Sequence, residues 1–127
     1  MFDHVIKVAF VVDDVAAAIE FYTTTLDLTV EARYPSNAGE GEDFVFLKSK
    51  TIYVELLPKK VMGDAPIGFH HLAFLADDVD KGMEELRQRG ATITAEAWDA
   101  GIGGIRLGDF EGPGGVMLRL FSKPQTQ

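Results

Sequence analysis

KVAFVVDDV (Lys7–Val15) and HLAFLADDV (His71–Val79) are nearly the same phrase, set 64 residues apart. The first copy opens on lysine and the second on histidine. Sliding the whole chain by the same interval lays YVELLPK (Tyr53–Lys59) over MLRLFSK (Met117–Lys123), Tyr34 over Trp98 and Phe46 over Phe110. One ungapped offset therefore runs from the start of each copy to its end. The chain reads as a single supersecondary unit written twice.

VIKVAFVV is β-branched and apolar enough for a buried strand. Asp13 or Asp14 is placed to cap a helix, whose buried stripe is expected at Val15, Ala18, Ile19, Tyr22 and Leu26. Asp27 follows, a residue type that tolerates a left-handed turn. LTVEARY, DFVFLK and TIYVELL supply three further strands. The second copy repeats the order: strand FHHLAFLA, a cap at Asp77 or Asp78, a helix buried through Val79, Met83 and Leu86, a stop at Gly90. ATITAEAW, GIRLGDF and VMLRLF complete it. The expected architecture is one α+β domain over residues 1–127, built from two tandem βαβββ modules. Module one covers 1–61 and module two 68–127, joined by a glycine- and proline-bearing connector at 62–67.

Composition narrows the function classes. Of the 127 residues 46% are hydrophobic and 25% charged, which suits one ordinary globular core. A net charge of −8 argues against a non-specific nucleic-acid binder, which needs a basic face. The absence of cysteine removes disulfides, thiolate nucleophiles and cysteine–metal sites. MFDHVIKVAF lacks the basic start and apolar core of a signal peptide, and no apolar run reaches membrane-spanning length. No membrane partner is expected, and a cytoplasmic setting is.

KVAFVVDDVAAAIEFYTTTLDL, HLAFLADDVDKGMEELRQRG and EGPGGVMLRLF together resemble the vicinal-oxygen-chelate superfamily, which includes glyoxalase I, bleomycin-resistance proteins and extradiol dioxygenases. The resemblance spans nearly the whole chain. It implies curved mixed sheets lining a cleft, a small-molecule ligand and, in many relatives, a homodimer. It also implies that metal-using relatives draw their ligands from the start of the first strand and the end of the fourth, once per module. Here those positions are Lys7, Glu55, His71 and Arg119.

That set departs from a metal site. Catalytic Zn²⁺, Ni²⁺ or Fe²⁺ generally needs three imidazole or carboxylate ligands from the protein. A protonated lysine has no lone pair, and arginine cannot be deprotonated in a protein. Two cations would also repel a dication. Each unit-charge pair amounts to about 4 kcal/mol at ~4 Å and an effective dielectric of ~20, doubled for a divalent ion. Neither a metal nor another cofactor is therefore expected. His4 and His70 have the opposite strand parity and read as solvated or core-edge histidines, with a displaced ligand set as the alternative.

The remaining chemistry is a cluster with excess positive charge. Arg119 and Lys7 are the candidate anion-binding groups, and Tyr53, Tyr34, Trp98, Met117 and Phe121 the candidate ligand-lining residues. Glu55 and His71 are the candidate catalytic bases. The expected function is binding of a small anionic organic molecule, with lyase or isomerase chemistry as its catalytic form. Two alternatives remain open. One is a metal-dependent glyoxalase-like lyase or ring-cleaving dioxygenase using a displaced ligand set. The other is a non-catalytic, drug-sequestering resistance protein.

Overall fold

A computed structural model describes residues 2–122 of the chain. The end of the second repeat phrase at Lys123 lies outside the described residues. Two compact units emerge: Lys7–His70, and the residues from His71 onward together with the short segment before Lys7.

The first unit is built from β1 (Val5–Val12) from Lys7 onward, α1 (Val15–Glu20), β2 (Thr29–Pro35), β3 (Asp43–Lys48) and β4 (Tyr53–Pro58). Its strands lie in the order β2-β3-β4-β1. β1 and β4 are parallel, with Ala9 opposite Glu55, and the other pairs are antiparallel. Asp14 caps α1, its carboxylate accepting from the Ala17 N–H at 2.9 Å. Val15, with Ala18, Ile19 and Tyr22, packs on Val45, Leu47, Val54 and Leu56, so the helix covers the even-numbered side of β4.

The expected stripe stops short at one residue. Leu26 is 49% exposed. The reason is local: Phe21–Thr25 forms a π-turn, with the Thr23 hydroxyl donating to the Ile19 carbonyl at 2.8 Å. The wider turn carries Leu26 off the helical stripe. Asp27 then takes φ 63°, the left-handed turn expected of it.

The second unit contains β5 (Gly68–Leu75) from His71 onward, α2 (Val79–Gln88), β6 (Thr92–Asp99), β7 (Arg106–Glu111) and β8 (Met117–Ser122). Its strand order is β5-β8-β7-β6, again mixed: β5 and β8 are parallel, and β8-β7-β6 antiparallel. Asp78 caps α2 through the Lys81 N–H at 3.0 Å, and Gly90 ends it at φ 91°. Val79, Met83 and Leu86 pack on Phe110, Leu118 and Leu120. The segment before Lys7 belongs here by contact. The Leu75 N–H donates to the His4 carbonyl at 2.8 Å, and Phe2 joins the α2 cluster.

Each module is thus a βαβββ unit with a helix on one side of a mixed four-stranded sheet, the α+β architecture read from the repeat. The ungapped offset does not survive in one place. Phe46 lies opposite Glu55, nine residues on, whereas Asp109 lies opposite Arg119, ten residues on. The structural counterpart of Phe46 is therefore Asp109, and that of Phe110 is Leu47. Phe110 packs under α2 while Phe46 faces the other way, against Lys7. Two loops explain the mismatch. The connection 36–42 before β3 is one residue longer than its counterpart 100–105, and the turn 49–52 after β3 is one residue shorter than 112–116. The two changes cancel in an ungapped alignment but turn β7 over by one residue, and a one-residue slip exchanges the faces of a strand.

Candidate functional site

Strand alternation places one charged group set on the helix-free side of each sheet. In the first unit this side carries Lys7, Ala9 and Val11 from β1, Tyr53, Glu55 and Leu57 from β4, and Phe44 and Phe46 from β3. Ala9, Val11 and Leu57 form its apolar floor, joined by Phe44, Met62 and Ala65. Lys7 is buried and its ammonium is held by the Glu55 carboxylate in a buried ion pair. The Phe46 ring lies 5.7 Å from the Lys7 Nζ, a cation–π distance. Tyr34 and Tyr53 meet Phe46 edge-on at 5.9 and 6.2 Å, and the Tyr53 hydroxyl donates to Glu31 at 3.3 Å. Lys7 is thus a buried cation in an aromatic box, matched by one carboxylate. Burial of such a charge demands that pairing.

The second unit solves the same problem with different strands. Arg119 on β8 donates from Nε and Nη2 to the two carboxylate oxygens of Asp109 on β7, at 2.7 and 3.0 Å. The two side chains are 12% and 7% exposed, so this bidentate pair is largely dry. The third guanidinium nitrogen, Nη1, stands 3.3 Å from Nε2 of His71, which is fully buried. The Trp98 ring lies 5.2 Å from the guanidinium carbon. Met117 is half-buried and Phe121 buried along the same side of β8.

Of the residues singled out from sequence, Lys7, Glu55, Tyr34 and Tyr53 therefore gather in the first unit, and His71, Arg119, Trp98, Met117 and Phe121 in the second. Two further arginines are engaged at the surface. Arg33 bonds Asp43 at 3.0 Å, and Arg106 bridges Asp80 and Asp99 at 2.8 and 3.0 Å.

Sequence reasoning missed Asp109. The ungapped offset pairs it with Val45, a residue buried under the helix, and so hides it. The signal was the unequal spacing of the turns, GPGGV (112–116) being one residue longer than SKTI (49–52) in module one. The consequence is electrostatic: the excess positive charge expected of the cluster is cancelled, because Arg119 has its own carboxylate as Lys7 has Glu55.

A divalent metal does not fit these positions. One corner is an ammonium closed onto Glu55, another a guanidinium closed onto Asp109, and the Nε2 of His71 is turned to that guanidinium. None of these cations offers a lone pair. Among the described residues no three histidine, aspartate or glutamate side chains group to hold a metal ion. Nor is any helix among them long and apolar enough to cross a membrane.

No curated protein matches the chain in sequence. Among solved structures, a hypothetical protein from Bacillus halodurans C-125 superposes with a TM-score of 0.81 at 17% identity, covering 97% of this chain and 96% of its own. A methylmalonyl-CoA epimerase in complex with methylmalonyl-CoA and NH4+ gives 0.80 at 22% identity, covering 100% and 99%. Methylmalonyl-CoA epimerase from Mycobacterium tuberculosis gives 0.77 at 22%, covering 96% and 89%. At these identities the likeness is one of fold. The family model described as Glyoxalase/Bleomycin resistance protein/Dioxygenase superfamily matches residues 2–120, and the chain belongs to that superfamily.

Proposed function

We propose that the chain is a metal-independent member of this superfamily that binds a small, anionic organic molecule on the Arg119 side of the second unit. The observation that carries metal independence is the closure of both cations at the family's ligand positions into ion pairs, Lys7 with Glu55 and Arg119 with Asp109. A guanidinium has five N–H bonds, and Asp109 takes two of them. Nε2 of His71 faces a third, and the other two remain to meet an acceptor oxygen, in an orientation already fixed. Trp98 below the guanidinium and Met117 and Phe121 along the strand suit an apolar body attached to that acceptor. The epimerase of the same fold with methylmalonyl-CoA bound supports an acid-bearing ligand. Lys7, boxed by Tyr34, Phe46 and Tyr53, supplies the first unit's counterpart. Homodimer assembly and a cytoplasmic setting belong to the same proposal, supported by the family resemblance.

In a lyase or isomerase the proton would pass to Glu55 or His71. Each already faces a cation, Glu55 the Lys7 ammonium and His71 the Arg119 guanidinium. That commitment favours a second reading, sequestration of the ligand without turnover.

The test has two parts. Elemental analysis of protein purified without chelator is expected to show no stoichiometric transition metal; one equivalent per chain overturns metal independence. A thermal-shift screen of small carboxylates and acyl-CoA esters is expected to find a stabilising ligand, worth about 2.7 kcal/mol at a hundredfold excess over Kd. Arg119→Met should abolish that gain, and unchanged affinity in the variant sinks the clamp.

A further inference from the structure

We propose that Asp109 is the positioning residue of the Arg119 side, setting the plane of the guanidinium and, through it, the tautomer of His71. This rests on the reading of Arg119 as the ligand contact, and it is tested without any ligand.

Two parallel hydrogen bonds at 2.7 and 3.0 Å leave the guanidinium little freedom to rotate about its own plane. Asp109 can make them because it sits directly opposite Arg119 in the β7–β8 register. The plane so fixed presents Nη1 to His71 at 3.3 Å and one guanidinium face to Trp98. Arginine only donates, so Nε2 of His71 must carry the lone pair in that contact, and the imidazole proton is assigned to Nδ1. The fold itself does not require a carboxylate here. In the first unit the corresponding place holds Phe46, and the buried cation is on β1 instead, paired with Glu55 on β4. Asp109 is thus specific to the set it serves.

The chain has three histidines and one tryptophan, so both reporters are easily assigned. Long-range ¹H–¹⁵N spectra are expected to show His71 as a single tautomer, with Nε2 unprotonated. Asp109→Asn keeps size and polarity but loses one acceptor. It should mix the two tautomers and shift the Trp98 emission maximum, and Asp109→Glu should restore both signals at least in part. Nε2 protonated in the parent protein, or both signals unchanged in Asp109→Asn, overturns the proposal. Should Asp109→Asn fail to fold, Arg119→Lys keeps the charge without the planar fork, and must move the same two signals; their constancy there overturns the proposal equally. If the signals behave as expected while Arg119→Met leaves ligand affinity unchanged, the ligand reading falls and the positioning role stands.

Discussion

Phe46 and Asp109 occupy the same place in their respective sheets, each directly opposite the β4 or β8 residue that carries the unit's charge at that point, Glu55 or Arg119. One is an aromatic ring against an ammonium, the other a carboxylate gripping a guanidinium. The two units therefore reach local neutrality by different routes, and the difference can be measured.

Asp109→Leu leaves a nearly buried guanidinium without its carboxylate and is expected to cost about 3–5 kcal/mol. Arg119→Met alone strands the carboxylate and should cost a similar amount. The double variant removes both charges and is expected to be close to neutral, or stabilising. Urea unfolding of the four proteins gives the coupling energy directly. Simple additivity of the two single losses would show that the pair is not a closed unit.

Gly108 is a packing requirement. A Cβ added there would lie 2.6 Å from Sδ and 2.7 Å from Cγ of Met83, the residue that anchors α2 on β7. Gly108→Ala is expected to destabilise by about 1–3 kcal/mol, the usual cost of overpacking. A Met83→Ala background should remove most of that penalty. An equal penalty in both backgrounds, seen by thermal unfolding, would place the cause elsewhere.

The two helix caps should be worth about 1 kcal/mol each. Asp14→Ala frees the Ala17 N–H and Asp78→Ala the Lys81 N–H. α1 has only six residues before it widens, so hydrogen exchange in its first turn should rise more than in α2. Equal exchange in both variants contradicts the assignment.

Asp80 titrates below the usual carboxylate range. The hydrogen bond from Arg106 is the main cause; slight burial opposes it, and the charge of Arg106 adds to it. Arg106 is correspondingly pushed up, first by Asp80 and then by Asp99. A depressed folded-state value means that the contribution to stability is present above the unfolded midpoint of about 3.9. It is lost as pH falls through the lower folded one. Carboxyl NMR should show the Asp80 midpoint rising to the normal range in Arg106→Gln. Added salt should narrow the difference, because the pair is exposed. An unchanged midpoint in the variant rules out the bridge.

Most of the architecture was legible because the repeat and the β-strand alternation are both carried by the order of residue types along the chain. Lys7 and Glu55 fall on one side of their sheet by parity alone, and Val79, Met83 and Leu86 declare their helix face by spacing. Leu26 was misplaced because a π-turn leaves no mark in a pattern read at 3.6 residues per turn. Asp109 was missed for a different reason. Gly108 beside it has no side chain to reveal which way β7 points, and the compensating loop lengths restore the offset before the next strand. Partner choice across strands depends on register, which the residues of one strand do not record.

Turn length has a consequence for how duplicated proteins diverge. Moving a single codon from one loop of the module to the next rotates the intervening strand by half a turn while its neighbours stay put. Every residue of that strand then trades the helix side for the open one. Twin halves can thus acquire unlike chemistry at matching coordinates without a substitution at the coordinate itself.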